Sequence, residues 1–130
     1  MDIDLPDVVA EVTAAFERYE QALVSNDVAV LDSIFRDDPR VIRYGVGENL
    51  YGYQEIAAFR AARSPAGLAR TRSKTVITAY GRDVAVASTL FHRASMHGKV
   101  GRQMQTWVRF PEGWRVVAAH VSVIAEPPPG

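Results

Sequence analysis

Apolar residues recur every three or four positions over residues 5 to 25, which is the spacing of one face of an α-helix. The stripe consists of Leu5, Val8, Val9, Val12, Phe16, Tyr19 and Leu23. Pro6 suits a first helical turn, Asp7 favours the positive end of the helix dipole, and Asp4 is the expected N-cap. The pattern therefore predicts a long amphipathic first helix that covers a core.

Shorter segments of the same kind follow this stripe. The sequence 25–27 (Ser-Asn-Asp) breaks the first helix and caps a second, which 37–39 (Asp-Asp-Pro) ends. Residues 41–44 and 50–51 flank a glycine-containing turn and predict a short strand pair. Residues 54–62 return to helical spacing and predict a third helix.

The second half of the chain changes to long runs that favour strands. We expect strands over about residues 69–80, 84–93, 101–110 and 114–122, and the sequence Pro-Glu-Gly joins the last two in a tight turn. Helices followed by hairpin-connected strands are typical of an α+β fold. Such a sheet should be antiparallel, should curl around the first helix, and should leave a pocket between the helix and its concave face.

Composition limits the class of protein. The chain has 130 residues, which suits one domain over residues 1–125 and a loose Pro-rich tail over 126–130. Fifteen basic and 15 acidic residues give a net charge of zero, which argues against nucleic acid or anionic membranes as partners and permits self-association. The acidic N-terminus lacks a signal-peptide pattern and no apolar run reaches transmembrane length, so the expected location is the cytoplasm.

The sequence offers no pattern for a metal or a cofactor. Cysteine is absent, which excludes disulfides and thiolate chemistry. The three histidines lack the spacing of zinc ligands, and there is no nucleophile elbow, P-loop or dinucleotide fingerprint. We therefore expect activity, if there is any, to need neither metal nor cofactor.

Tyr19 and Arg43 are the first candidates for a site. Tyr19 lies on the apolar stripe, where its ring could pack in the core with its hydroxyl bonded to one partner, or its phenol could project into the pocket. Arg43 interrupts an apolar strand, so it lies either on a wet face or inward. An inward arginine would clamp a carboxylate with two parallel hydrogen bonds.

The last two strands and the basic residues after the third helix give weaker candidates. Gln103, Gln105 and Trp107 share one alternate face of a strand, and His120 and Ser122 share a face of the next. These polar side chains either meet water or line the cavity. The basic patch consists of Arg60, Arg63, Arg70 and Arg72. It could be a solvated rim, or one member could add positive potential at the pocket mouth.

Three stretches of the chain resemble a known family. They are residues 7–19, Arg-Tyr-Gly at 43–45 with Glu-Asn-Leu-Tyr-Gly at 48–52, and residues 101–122, which contain Gly-Arg-Gln-x-Gln-Thr-Trp and Gly-Trp-Arg-Val-Val-Ala-Ala-His-Val-Ser. With the order of elements, they resemble the AtzH-like or HpxZ-like family. That family belongs to the SnoaL-like, ketosteroid-isomerase-like superfamily, whose cystatin-like fold is a cone-shaped curved antiparallel sheet around N-terminal helices.

The resemblance implies a function in ureido-acid breakdown of the oxalurate or cyanuric-acid type, beside amidases. An AtzH-like activity is the decarboxylating hydrolysis of a small dicarboxylated urea toward allophanate. The functional tyrosine and arginine of the family fall on Tyr19 and Arg43, which we take as catalytic. The acidic base of ketosteroid isomerases has no evident match, which argues against an isomerase. Further substrate-binding candidates are Arg70, Gln105, His120 and Ser122.

Three functions remain open from the sequence. The first is a cofactor-independent amidohydrolase acting on a carboxylated urea. The second is a non-catalytic accessory subunit of a neighbouring amidase, and the third is a bare dimerising scaffold. In each case we expect a homodimer or higher homo-oligomer, because the long last strands leave an outer sheet face that needs cover.

Overall fold

Three helices pack on a six-stranded curved sheet in the computed structural model of the chain, which describes residues 1–127. The helices are α1 (Pro6–Val24), α2 (Val28–Ile34) and α3 (Tyr53–Ala62). The strands are β1 (Ile42–Tyr44), β2 (Asn49–Tyr51), β3 (Thr71–Tyr80), β4 (Val84–His92), β5 (Lys99–Phe110) and β6 (Gly113–Ala125). The predicted α+β class is confirmed, and each predicted helix and strand lies within a few residues of its expected bounds.

The N-terminus of α1 differs from its predicted form. Leu5 is the N-cap residue and makes no side-chain cap. Asp4 instead bonds Ala79 twice, through its backbone N–H and its carboxylate, at 2.8 Å each. Because β3 is an edge strand, its backbone has unpaired groups, and Asp4 satisfies two of them. The second helix follows the prediction, since the Asp27 carboxylate accepts a bond from the Val30 N–H.

The sheet has the strand order β2-β1-β6-β5-β4-β3. All pairs are antiparallel except β1 with β6, which run parallel. This pair corrects the expectation of an entirely antiparallel sheet. No hairpin joins β1 to β6, because α3 and four strands lie between them in the chain, so no turn dictates their relative direction.

An irregularity in β6 decides which side chains face inward. Trp107 pairs with Val116 while the adjacent Thr106 pairs with Ala118, so Val117 is an extra residue opposite β5. Such a bulge shifts the alternation of side chains by one position. Val116 is buried before the bulge, and Ala119 is buried after it.

The apolar core lies between α1 and the inner face of the sheet. Val12 and Phe16 of α1 are fully buried, and so is Trp107 of β5. Burying an apolar side chain of that size contributes about 1.5–3 kcal/mol, so these contacts hold the helix on the sheet. The same helical stripe continues past this core to Tyr19 and Leu23.

The predicted tail lies mostly beyond the described residues, because 128–130 fall outside them. Its first residue is not loose. The Glu126 N–H donates to the Gly98 carbonyl at 2.9 Å, and its carboxylate contacts His92 at the same distance. The chain is therefore tied to the sheet one residue further than the sequence predicted.

Candidate functional site

A cavity of about 160 Å³ lies where α1, α3 and the β1–β2 turn meet the inner face of the sheet. On the order of five waters would fill this volume, so it suits a molecule of metabolite size. Its lining residues are Tyr19, Leu23, Arg43, Val46, Glu48, Phe59, Arg63, Leu68, Arg70, Arg93, Gln103 and Val121. Four of them are arginines, which is an uncommon density of positive charge for a half-enclosed site.

Tyr19 brings its phenol to this cavity from α1. The residue is 5% exposed, and its ring packs on the ring of Phe35 with centroids 6.3 Å apart. Within residues 1–127 its hydroxyl makes no hydrogen bond to the protein. The ring is therefore part of the core, while the hydroxyl is available to a molecule in the cavity.

Arg43 points inward from β1, which is the second of the two positions that the sequence left open. Its Nη1 donates to Glu48 Oε1 at 2.8 Å, and its guanidinium lies 5.5 Å from the centre of the Phe59 ring. Only 14% of its side chain is exposed. Tyr19 and Arg43 thus line one cavity, together with a carboxylate that the sequence did not indicate.

The tight turn between β1 and β2 holds that carboxylate in place. Glu48 Oε2 accepts a bond from the Gly47 N–H at 3.1 Å, and the Glu48 carbonyl accepts one from Gly45 at 2.9 Å. A Cβ on Gly45 would lie 1.7 Å from Glu48 Oε1. Glycine is therefore required at position 45 for the carboxylate to reach Arg43.

Arg70 forms the opposite wall and is already neutralised. Its guanidinium donates twice to the Glu20 carboxylate, and it donates to Gln103 Oε1 at 3.0 Å. The Arg70 side chain is 1% exposed. This arginine lines the cavity with a buried carboxylate as its partner, and its role in substrate binding stays a prediction.

Arg63 and Arg93 have no such partner. Arg63 follows the last turn of α3, and Arg93 follows β4. Nε and Nη2 of Arg63 and Nε of Arg93 are buried without a hydrogen-bond partner among the described residues. Burial lowers the pKa of the Arg63 guanidinium and that of Arg93, because a charged group loses solvation there.

The sequence only partly indicated these two arginines. Arg63 belonged to the basic patch, whereas Arg93 was not a candidate. Its signal was alternation, because Ala87, Thr89 and Phe91 of β4 are buried and position 93 continues that face. An arginine on an otherwise inward face marks a polar site.

The other two members of the basic patch, Arg60 and Arg72, are held in ion pairs. Arg60 is buried and donates to Asp32 at 2.6 Å. Arg72 is half-buried and bonds the Glu17 carboxylate at 3.1 and 2.9 Å. Arg60 and Arg72 therefore form ion pairs and are not among the residues that line the cavity, whereas Arg63 and Arg70 line it.

Three of the weaker candidates do not line the cavity. Gln105 is buried in the core, where its Oε1 accepts a bond from the Trp107 indole N–H at 3.2 Å. His120 is exposed on the outer face of the sheet, and the Ser122 hydroxyl there accepts a bond from Arg102 Nε at 3.1 Å. The bulge in β6 explains the error for His120 and Ser122, because it turns Ala119 and Val121 inward instead.

A larger groove of about 580 Å³ runs along α1, but its charges are mostly paired. Glu17 bonds Arg72 and Glu20 bonds Arg70 within its walls. Within residues 1–127, no three His, Asp or Glu side chains gather as a metal-binding group. The cavity at Tyr19 and Arg43 is therefore the better candidate site.

Comparison with solved structures defines the class of fold. A protein of unknown function from Pectobacterium atrosepticum is 62% identical, with 95% of this chain and 96% of that chain covered and a TM-score of 0.93. A cystatin-like fold protein from Burkholderia xenovorans is 44% identical, with 98% and 99% covered and a TM-score of 0.94. An NTF2-like superfamily protein from Salmonella enterica is 25% identical, with 95% and 94% covered and a TM-score of 0.73.

The chain therefore has the cystatin-like fold of the NTF2-like proteins, as the resemblance to the SnoaL-like superfamily implied. The sequence model of the AtzH-like family matches residues 1–127, and the chain belongs to that family. No curated protein matches the chain. None of the helices in the described residues is long and apolar enough to cross a membrane.

Proposed function

We propose that this protein is a small cofactor-independent enzyme that acts on a carboxylated urea, as a decarboxylating amidohydrolase of ureido-acid breakdown. The observation that supports it most is the Tyr19 hydroxyl, which has no protein partner within residues 1–127 and shares a small cationic cavity with Arg43. Membership of the AtzH-like family supports the same substrate class, because the resemblance implies such an activity.

Arg43 provides the contact that fixes the substrate. Arginine has five N–H donors in a planar fork, and among the described residues Arg43 uses one nitrogen, Nη1, in a hydrogen bond to Glu48. The remaining donors can hold a carboxylate of the ureido acid in the bidentate manner that the fork favours. The Phe59 ring lies beside the guanidinium, with its centre 5.5 Å from the guanidinium carbon, and adds a cation–π contact.

The reaction breaks the bond between the carboxylate carbon and a urea nitrogen. Carbon dioxide leaves, and the electron pair of that bond stays on the nitrogen and is delocalised to the urea oxygen. The Tyr19 hydroxyl donates its proton to the nitrogen and regains a proton from water. The net change is one proton consumed and one carbon dioxide released, which becomes hydrolysis once the carbon dioxide is hydrated.

The cavity residues suit this chemistry because negative charge develops on the urea group. A phenol hydroxyl carries an O–H donor and can act as the proton donor. Fixed guanidinium groups around a half-enclosed site stabilise a developing anion without reorganising solvent. The reaction requires a proton donor and charge stabilisation, and side chains of this chain can supply both.

Turnover by the purified protein tests the proposal. A urea carboxylated on both nitrogens should release carbon dioxide faster with the protein than in buffer, and allophanate should accumulate. The spontaneous rate must be subtracted, and an equal amount of the Tyr19→Phe variant provides the matched control. Folded protein that gives no product above the spontaneous rate would overturn the enzymatic assignment.

The same experiment separates the accessory role. A protein that binds the carboxylated urea without turning it over, and that co-purifies with an amidase, would be an accessory subunit. Binding and co-purification can be measured on the same preparation, so both outcomes are distinguishable from failed folding.

We also propose that two copies associate through the outer face of the sheet. A continuous row of paired residues crosses this face, from Tyr44 through His120, Met104 and Ser88 to Val76. Both Met104 and Val76 are 55% exposed, and the net charge of zero does not oppose association of like chains.

Light scattering at micromolar concentration tests this association. We expect twice the chain mass for the wild type and the chain mass for Met104→Lys, because a charge would be buried at the centre of the interface. The variant should remain folded, since Met104 is exposed in the single chain. A monomeric wild type would contradict the proposal.

A further inference from the structure

The four cavity arginines divide into two kinds. Arg43 bonds Glu48 and Arg70 bonds Glu20, so each of these charges has a carboxylate beside it. Among residues 1–127, Arg63 and Arg93 form no ion pair, and three of their nitrogen atoms are buried without any hydrogen-bond partner. Both residues are half-buried, and these nitrogen atoms are shielded from solvent while lacking a partner in the described residues, so an anion bound in the cavity would satisfy them.

The Arg93 guanidinium is held in place by stacking. It lies 4.9 Å from the centre of the Phe91 ring, and Arg70 lies 4.4 Å from the same centre. A Cβ on Gly101 would meet the Phe91 ring at 2.2 Å, so glycine at this position lets the ring lie flat against β5. Arg93 is therefore a pre-positioned donor rather than a mobile surface side chain.

Arg63 approaches the cavity from a different element. It follows α3, and its unpartnered Nε and Nη2 form one edge of the guanidinium fork. Two adjacent N–H groups on one edge match the two oxygens of a carboxylate. The neighbouring Gln103 Nε2 is also buried without a partner and lines the same cavity.

We propose that Arg63 and Arg93 form a second anion subsite, which makes the cavity selective for small dicarboxylates over monocarboxylates of the same shape. The inference rests on the proposed function, in which Arg43 holds the first carboxylate. It assigns Arg63 and Arg93 as specificity-determining residues for the group that the substrate carries at its other end. A cavity of about 160 Å³ limits the two carboxylates to a separation of a few bonds.

The second subsite also explains how the product leaves. Loss of one carboxylate as carbon dioxide removes one negative charge from the bound molecule. A product with a single carboxylate cannot satisfy both subsites, so it binds more weakly than the substrate. The class of reaction that supplies the substrate must therefore deliver a doubly carboxylated molecule, and the class that consumes the product must accept a monocarboxylate.

Calorimetric titration with two matched probes tests this inference without turnover. Glutarate carries two carboxylates and cannot lose carbon dioxide by this chemistry, and its monoamide has nearly the same shape with one charge fewer. At low salt we expect the wild type to bind glutarate at least roughly tenfold more tightly than the monoamide, because the amide loses a charge-assisted contact. Equal affinity of the wild type for both probes would overturn the inference.

Variants then locate the preference. Arg63→Gln with Arg93→Gln should abolish the preference for glutarate while the monoamide still binds. Arg18→Gln, at an exposed position on α1, should keep the preference. A double variant that still prefers glutarate would also overturn the inference. If the double variant does not fold, Arg93→Gln alone must reduce the preference for glutarate. An unchanged preference in that single variant would likewise overturn the inference.

The failure of this inference differs from failure of the proposed function. A protein that prefers glutarate but releases no carbon dioxide from a carboxylated urea has the second subsite without the proposed activity. A protein that turns over the urea but binds both probes equally has the activity without the second subsite.

Discussion

The core around Trp107 and the cavity around Tyr19 share the same helix but satisfy their polar groups differently. In the core, the Trp107 indole donates to Gln105, and the Trp114 indole donates to Glu11 at 3.2 Å. The described residues contain five buried side-chain polar atoms without a hydrogen-bond partner. Four of them belong to Arg63, Arg93 and Gln103, which line the cavity. Unsatisfied polar groups are rare in folded proteins, so their concentration in one place marks where a ligand is expected.

Helical periodicity alone does not distinguish these two regions. Phe16 and Tyr19 lie on one stripe of α1 and are both buried. Phe16 packs against a filled interior, whereas the hydroxyl of Tyr19 reaches a cavity lined by arginines. Burial therefore identifies the inward face of the helix, and the partners of the polar atoms identify the site.

The largest expected effect is the loss of activity when the cavity residue Arg43 is replaced. Arg43→Ala should lower kcat/KM by roughly a thousandfold, because the substrate carboxylate loses its anchor and Glu48 is left with an unpaired charge. Arg43→Lys should fall between this variant and the wild type, since lysine keeps the charge but loses the planar fork. Steady-state kinetics on folded protein provide the measurement, and unchanged turnover in Arg43→Ala would exclude the assignment.

Breaking the buried ion pair of Arg70 with Glu20 should lower the stability of the fold. Glu20→Gln leaves Arg70 buried without a counter-ion and should lower the free energy of unfolding by about 3 kcal/mol. Glu17→Gln is the matched control, because that carboxylate lies one turn earlier on α1 and pairs with Arg72 near the surface. The control should change stability by less than about 1 kcal/mol. Denaturant titration measures both, and equal effects would show that burial does not distinguish these pairs.

The smallest effect on stability is expected at an unpaired arginine. Arg63→Met removes a half-buried charge that has no ion-pair partner within residues 1–127, so the free energy of unfolding should stay the same or rise by about 1 kcal/mol. Arg60→Met is one turn earlier on α3 and breaks the partly buried pair with Asp32, so it should lower stability by about 2 kcal/mol. A large loss of stability in Arg63→Met would mean that this arginine has a structural role.

The sequence predicted the elements well because their signals are local. The stripe of α1, the cap at Asp27 and the turn before Trp114 each depend on neighbouring residues. Tyr19 and Arg43 became candidates through the helical stripe and the apolar strand, which left two alternatives for each, and the family resemblance then implied their catalytic role.

The errors share a non-local cause. The outward position of His120 depends on a one-residue bulge that only the pairing of β6 with β5 determines. The parallel pairing of β1 depends on where its hairpin meets β6. Ion pairs such as Arg70 with Glu20 join residues 50 positions apart, so no local spacing predicts which arginines remain unpaired.

Turnover and stability of Tyr19→Phe, measured side by side, test the central claim most directly. The substitution removes one oxygen that has no protein partner in the described residues, so the free energy of unfolding should be nearly unchanged. The rate of carbon dioxide release from a carboxylated urea should fall roughly a hundredfold or more, as expected for loss of a proton donor. A variant with unchanged stability and an unchanged rate would show that Tyr19 is only a core ring, and a variant that unfolds would show that its hydroxyl is structural; either result would contradict the account.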